Sequence, residues 1–108
     1  MALVNQKCET LQAGTPPLSQ EGAQEYLKET PAWALKERSI EREFHCNDFR
    51  EAMAFVNNVA DLAEQEGHHP DIHIHYSKVR LELSTHKIGG LSKNDFVLAA
   101  EVDRLVQA

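Results

Sequence analysis

The fold of this chain is decided by one stretch, Glu66–Tyr76, which reads EGHHPDIHIHY. A helical pattern runs up to it and an alternating pattern follows it. Gly67 is a natural residue for the end of a helix because glycine adopts a positive φ angle without steric cost. Pro70 then prevents the helix from continuing. The stretch therefore marks a sharp corner between the longest predicted helix and the second half of a predicted sheet.

The segment before this corner is predicted to be a helix over residues 48–66. Its apolar residues recur at intervals of three and four, which places them on one face. Asp48, followed by Glu51 three residues on, has the spacing of a capping box with Asp in place of Ser or Thr. His68 and His69 then lie just beyond the helix C-terminus, where unpaired carbonyls carry a partial negative charge that favours a protonated imidazole.

Alternating apolar and polar residues predict two strands on each side of this helix. A shorter helix precedes the first strands, and a final helix begins at Ser92, which has Asp95 at capping-box spacing. The expected order is α-β-β-α-β-β-α, an α+β fold with a four-stranded antiparallel sheet and the helices packed on one face. Residues 1–17 show no period and are predicted to form a loosely ordered N-terminal arm, with residues 18–108 as a single domain.

Composition excludes several classes of protein. The chain has 108 residues, of which 42% are hydrophobic and 26% charged, as in an ordinary globular domain. Its net charge of −6 disfavours binding to nucleic acid or to an anionic membrane surface. No apolar stretch approaches the ~20 residues of a membrane span, and the first residues lack the features of a secretory signal. Cys8 and Cys46 are expected to be free thiols in a reducing cytoplasm.

The histidines near the corner are candidates for metal binding. His73 and His75 are two residues apart in a predicted strand, so their side chains point to the same face. Such a pair binds zinc, copper or iron when a third ligand arrives, and Asp71 or a nearby histidine could supply it. The pair alone is a common pattern, however, and it alternates with apolar residues that face the core. A surface or interface pair is the favoured interpretation.

Acid/base catalysis is the second candidate. His68 and His69 at a helix end and His86 at the end of the last strand all stand on rigid supports, and imidazole exchanges protons near neutral pH. The sequence does not by itself place them side by side, so ordinary polar surface histidines remain the alternative. Asp95 has helix capping as a sufficient role, and Glu64 has the pattern of a solvated residue.

One group of residues resembles the signature of the pterin-4a-carbinolamine dehydratases. The resemblance rests on His68-His69-Pro70, Tyr76, Ser84-Thr85-His86, Gly89-Gly90-Leu91 and Asp95, and it covers about residues 14 to 106. It implies a hydro-lyase that removes water across C4a and N5 of a 4a-hydroxytetrahydropterin, such as 4a-hydroxytetrahydrobiopterin, to give the quinonoid dihydropterin. It also implies that neither a metal nor an organic cofactor is used.

The resemblance also assigns site residues. It implies that His68, His69 and His86 are catalytic or contact the pterin. Pro70, Thr85 and Lys87 are expected to line the same pocket, and Glu64 and Asp95 match acidic positions of the motif. We assign His68 as the acid and His86 as the base, with the exchanged roles as the alternative.

Partners follow from the same resemblance. The family implies a homodimer or homotetramer, and coupling to an aromatic amino acid hydroxylase in tetrahydrobiopterin recycling. Animal relatives also act as dimerisation cofactors for a transcription factor, so a protein-binding module without essential catalysis is one alternative. A histidine-rich metal-binding protein that uses His73 and His75 is another.

Overall fold

The architecture is taken from a computed structural model, which describes residues 3–106; the remaining residues of the predicted arm and domain, 1, 2, 107 and 108, lie outside this range. The helices and strands follow the predicted order, in the sequence α1 Gln20–Leu27, β1 Ala34–Leu35, β2 Ile40–His45, α2 Phe49–Glu66, β3 Asp71–His75, β4 Lys78–Leu83 and α3 Lys93–Val106. Two short 3-10 turns lie at Leu3–Asn5 and His86–Ile88. The predicted α+β fold is confirmed.

The four strands form one antiparallel sheet in the order β1-β2-β4-β3. Phe44 of β2 pairs with Val79 of β4, and Ile72 of β3 pairs with Leu81. Phe44, Val79 and Leu81 are buried in the core, so this face of the sheet is the one that the helices cover. β3 is left at an edge of the sheet, which places the corner at the margin of the molecule.

The opposite face of the sheet is polar. Arg80 at its centre donates to Glu41 at 3.3 Å and lies 3.9 Å from Glu82. His73 pairs in register with Arg80, so it lies on this open face as the alternation predicts. The face is thus covered by charged side chains that pair with one another in solvent.

Arg42 interrupts the apolar face of β2 and is accommodated by α3. Its guanidinium donates to Asp103 at 2.6 Å and lies 4.5 Å from the centre of the Phe44 ring. The indole of Trp33 donates to the same carboxylate oxygen at 2.8 Å. A half-buried charge is therefore paired and hydrogen-bonded, which offsets much of its desolvation cost.

Both ends of α2 are capped. The Asp48 side chain accepts from the Glu51 backbone N–H at 2.8 Å, as the capping box predicts. The Glu51 carboxylate accepts from Asn47, one residue earlier than in a capping box. Gly67 has φ 66°, and the following N–H, of His68, donates to the Ala63 carbonyl at 3.2 Å. The predicted corner is therefore built as expected.

The first residues of the chain are attached to α2 and α3. Leu3 is fully buried in the core. The Cys8 N–H donates to the Glu66 carboxylate at 2.8 Å, and Asn94 forms two hydrogen bonds with the Glu9 backbone. These hydrogen bonds join backbone groups of the arm to individual side chains of α2 and α3, so they produce no periodic pattern in the sequence. The boundary after residue 17 stays a prediction.

None of the helices described between residues 3 and 106 is both long and apolar enough to cross a membrane. Cys8 and Cys46 are both free and half-buried.

Candidate active site

A cleft of about 410 Å³ lies between the corner after α2, the end of β4 and the N-terminal arm. This volume is in the range of small-molecule sites. The three predicted catalytic histidines, His68, His69 and His86, all line it. The other lining residues are Cys8, Glu9, Thr10, Leu11, Glu66, Gly67, Ser84, Thr85, Lys87 and Asn94. The structure thus brings together histidines that come from two distant parts of the chain.

A larger cavity of about 700 Å³ lies at the start of α1, beside the turn between β1 and β2. It is lined by Lys36, Glu37 and Arg38 together with residues 17–20 and 89–91, and none of these is a histidine. The cleft is therefore the better candidate, because its lining includes three imidazoles, which transfer protons near neutral pH.

His68 is the most constrained of the three histidines. Its Nε2 lies 2.6 Å from Oδ1 of Asp95, and the two side chains are 11% and 0% exposed. Because an ionised carboxylate can only accept, the Nε2 hydrogen points at Asp95. Nδ1 is then the ring nitrogen that can take up or release a proton. A carboxylate that orients an imidazole in this way is a recurring feature of acid/base sites.

Asp95 is itself held by two further groups. Its Oδ2 accepts from the Thr85 hydroxyl and from the Ser92 backbone N–H, each at 2.9 Å. The Ser92 hydroxyl does not cap the helix; it lies 2.7 Å from the Thr85 hydroxyl. Asp95 therefore caps α3, as predicted, and also orients His68. The same side chain thus serves as a helix cap and as the acidic residue beside the histidines.

His69 is in a different environment. Its Nε2 lies 2.6 Å from Glu64, but the two side chains are 59% and 77% exposed. An ion pair this exposed is weak and is screened by salt. Glu64 does not line the cleft, so it touches the site through His69.

His86 and Lys87 begin the 3-10 turn after β4, and both are exposed at the rim of the cleft. The turn is closed by paired backbone hydrogen bonds between Thr85 and Gly90. Pro70 shapes the corner but is not among the lining residues, which differs from the expectation that it lines the pocket.

Sequence reasoning missed the part of the cleft made by the arm and by Asn94. It also missed a pair of carboxyl groups behind them. Burial and a hydrogen bond shared with Glu66 raise the pKa of Glu101 to about 7. Burial acts to raise the pKa of Glu66, but hydrogen bonds from the Cys8 backbone and Glu101 hold it below its ordinary value of 4.5. The hydrogen bond between the two carboxyl groups therefore favours the proton on Glu101 over Glu66, and no sequence pattern indicates it.

Cys8 lies beside this pair. Burial, together with the charge of Glu66, raises the pKa of its thiol to about 12. The thiol is therefore neutral and a poor nucleophile at physiological pH.

Across residues 3–106, no three His, Cys, Asp or Glu side chains are grouped so that they could hold a metal ion. His73 and His75 lie on the open face of the sheet, away from the cleft. The arrangement at the cleft suits proton transfer to and from an organic substrate.

Comparison with known proteins agrees with this chemistry. The family model described as pterin 4 alpha carbinolamine dehydratase matches residues 16–105. The chain belongs to this family. A relative from Nitrosomonas eutropha is 45% identical over 96% of this chain and 93% of its own length, and one from Methylococcus capsulatus is 44% identical with the same coverage. Both are provisionally named pterin-4-alpha-carbinolamine dehydratases.

Solved structures share the fold of this pterin dehydratase family member. A protein from Brucella melitensis, described as a transcriptional coactivator/pterin dehydratase, has a TM-score of 0.79 and 28% identity, covering 84% of this chain and 99% of its own. A pterin dehydratase-like protein described as a RuBisCO assembly factor in the alpha-carboxysome has a TM-score of 0.58 and 23% identity over 70% of this chain and 88% of its own. The second likeness concerns the fold alone.

Proposed function

We propose that this protein is a 4a-hydroxytetrahydropterin dehydratase, a hydro-lyase that acts by histidine acid/base catalysis. The observation that carries the proposal is the meeting of His68, His69 and His86 at one cleft, with His68 oriented by buried Asp95 at 2.6 Å. The family to which the chain belongs supports the substrate class. The reaction removes water across C4a and N5 and gives the quinonoid dihydropterin.

The reaction needs two proton transfers. One group donates a proton to the departing 4a-hydroxyl, which leaves as water, and another accepts the proton of N5. One protonated and one neutral imidazole meet this need. We assign His68 as the acid and His86 as the base, and the exchanged roles are the other outcome of the tests below. No metal or organic cofactor takes part in this scheme.

The remaining site residues have different parts in the proposal. Lys87 is at the rim, where it can contact the substrate. Thr85 lines the cleft, but its hydroxyl is committed to Ser92 and Asp95, so it acts mainly by holding Asp95. Pro70 keeps the corner rigid. Glu64 positions His69 from outside the cleft.

The test is the dehydration of freshly prepared 4a-hydroxytetrahydropterin. His68→Ala and His86→Ala should each lower the enzymatic rate by about 10²-fold or more, the usual contribution of a positioned acid or base. His73→Ala, on the open face of the sheet, is the matched control and should leave the rate unchanged. Unchanged rates in both cleft variants would sink the proposal.

The biological setting is proposed with the activity. The proposed substrate class supports a role in tetrahydrobiopterin recycling beside an aromatic amino acid hydroxylase, and the cytoplasm is the expected location. A homodimer or homotetramer is supported by the unpaired edge of β3, where Ile74 and Tyr76 are exposed. Light scattering on the purified protein measures the oligomer directly.

A protein-binding role is the second candidate. It is favoured by the Brucella melitensis relative, which is described as a transcriptional coactivator as well as a pterin dehydratase. Retention of biological activity by His68→Ala and His86→Ala variants that no longer dehydrate pterin would assign the essential role to protein binding.

A further inference from the structure

The N-terminal arm forms one wall of the cleft. Four of its residues, Cys8, Glu9, Thr10 and Leu11, are among the residues that line the cleft, together with His86. The arm carries none of the three histidines. Its contribution to the cleft is therefore one of shape rather than of proton transfer.

Two side chains fix the position of this wall. Asn94 accepts from the Glu9 N–H at 2.8 Å and donates to the Glu9 carbonyl at 2.7 Å, so both backbone groups of one residue are held by one amide. The Glu66 carboxylate accepts from the Cys8 N–H at 2.8 Å. Asn94 is 7% exposed, so these hydrogen bonds are made largely out of water and have a well-defined geometry.

The anchors are neighbours of the acid/base pair. Asn94 immediately precedes Asp95 at the start of α3, and Glu66 ends α2 two residues before His68. The elements that bring His68 and Asp95 within 2.6 Å thus also hold the arm against the cleft. Two adjacent residues of α3 therefore set the distance between the wall and the His68 imidazole, since Asn94 holds the arm and Asp95 holds His68.

We propose that Asn94 is a positioning residue that holds arm residues 8–11 as the substrate-binding wall of the cleft. The inference rests on the proposed dehydratase function and deepens it. Loss of the clamp should weaken pterin binding while leaving the proton transfers intact, because His68 and His69 stand on the corner after α2 and His86 on the turn after β4. KM should rise and kcat should change little.

The test uses the full chain with two variants. Asn94→Ala removes both hydrogen bonds to Glu9. Glu9→Pro removes the backbone N–H that donates to the Asn94 side chain, while Asn94 itself is unchanged. The matched control is Ala13→Pro. Ala13 is exposed, outside the cleft, and the second residue of a turn closed by a 3.1 Å bond from Thr15 to Gln12, where proline is readily accommodated.

Steady-state kinetics and calorimetric titration with 7,8-dihydrobiopterin, a stable pterin, give the readouts. Both clamp variants should raise KM and the pterin Kd by about tenfold, equivalent to about one hydrogen bond, with kcat within about twofold of wild type. Ala13→Pro should behave as wild type. If the Asn94→Ala protein does not fold, Glu9→Pro alone provides the measurement, because that substitution leaves the side chains of α3 intact.

Two other results have separate meanings. Unchanged KM and Kd in Glu9→Pro, or a fall in kcat at unchanged KM, overturns the role of the arm and leaves the dehydratase in place. A wild-type protein that neither binds the pterin nor accelerates its dehydration overturns the proposed function and, with it, this inference.

Discussion

Nε2 of His68 and Oδ1 of Asp95 lie 2.6 Å apart although the two residues are 27 positions apart in the chain and stand on different helical boundaries. His68 follows the glycine that ends α2, and Asp95 is in the first turn of α3. The carboxylate is fully buried and also bonds to Thr85 and Ser92. This relationship joins the stability of the α3 start to the orientation of the proposed acid.

Asp95→Asn should therefore impair both stability and activity. The amide keeps the shape but loses the charge that strengthens three hydrogen bonds, so we expect a loss of about 1–3 kcal/mol in the free energy of unfolding. The dehydration rate should fall by about tenfold or more, as the ring loses its orienting acceptor. Denaturant titration and steady-state kinetics measure the two effects.

Asp103→Asn is the control for this change. Asp103 also accepts two hydrogen bonds, from Trp33 and Arg42, but it lies away from the cleft. The Asp103→Asn variant should have a lower free energy of unfolding than wild type and an unchanged dehydration rate. If Asp95→Asn likewise lost only stability, Asp95 would be a helix cap alone.

Gly67→Ala should distort the corner. Gly67 has φ 66°, and a Cβ there would meet no atom within 4 Å, so the penalty arises from the backbone conformation alone. We expect a loss of about 1 kcal/mol in stability. The rate should fall as well, because His68 and His69 follow directly. Gly67→Asn, which tolerates this conformation better, should lose less of both; equal losses in the two variants would contradict the backbone explanation.

His69→Gln and Glu64→Gln should each change the free energy of unfolding by less than about 1 kcal/mol. Their ion pair is largely exposed, and such pairs contribute little. Thermal denaturation at low and high salt checks this expectation. A loss of activity at unchanged stability would support the predicted catalytic role of His69, whereas a large loss of stability would contradict a weak, exposed ion pair.

Stability should depend on pH through Glu101. The unfolded chain releases the Glu101 proton near pH 4.5, but the folded protein retains it until about pH 7, because Glu101 is partly buried and shares a hydrogen bond with Glu66. The folded state therefore binds more protons between these values, and the free energy of unfolding falls as the pH rises through this window. Lys7 and Arg104 act in the opposite direction and moderate the effect.

Glu101→Gln isolates this contribution. Denaturant titrations between pH 4 and 8 should show a smaller decline in the free energy of unfolding for the variant than for wild type. The lowered pKa of Glu66 has the opposite consequence, since the stability it contributes is lost as the pH falls below about 4.5. Identical profiles of the two proteins would show that no proton is shared by the pair.

Much of the architecture could be predicted because it depends on local patterns. The caps at Asp48 and Gly67 lie where the helix predicted over residues 48–66 requires them. The alternation that places His73 opposite the core also holds in the sheet. The helical period of 3.6 residues and the strand period of 2 depend only on residues near one another in the sequence. A helix cap depends only on residues at the end of its own helix.

The arm was the segment that patterns did not describe. Backbone hydrogen bonds hold Leu3 to the segment after α1, Cys8 to α2 and Glu9 to α3, and such contacts have no period. The sheet order, with β3 at the edge and β4 beside β2, also depends on pairing between distant segments. These features were therefore outside the reach of local reasoning.

The sequence by itself determined the elements, the corner at Gly67–Pro70 and the candidate histidines, because each depends on residue types within a few positions. Only the tertiary structure decided which histidines lie together. It placed His68 and His69 at one cleft with His86, set Asp95 behind His68, and left His73 and His75 on the open face. The physical reason is that distances between side chains on different elements depend on how the helices pack on the sheet, which no local spacing specifies.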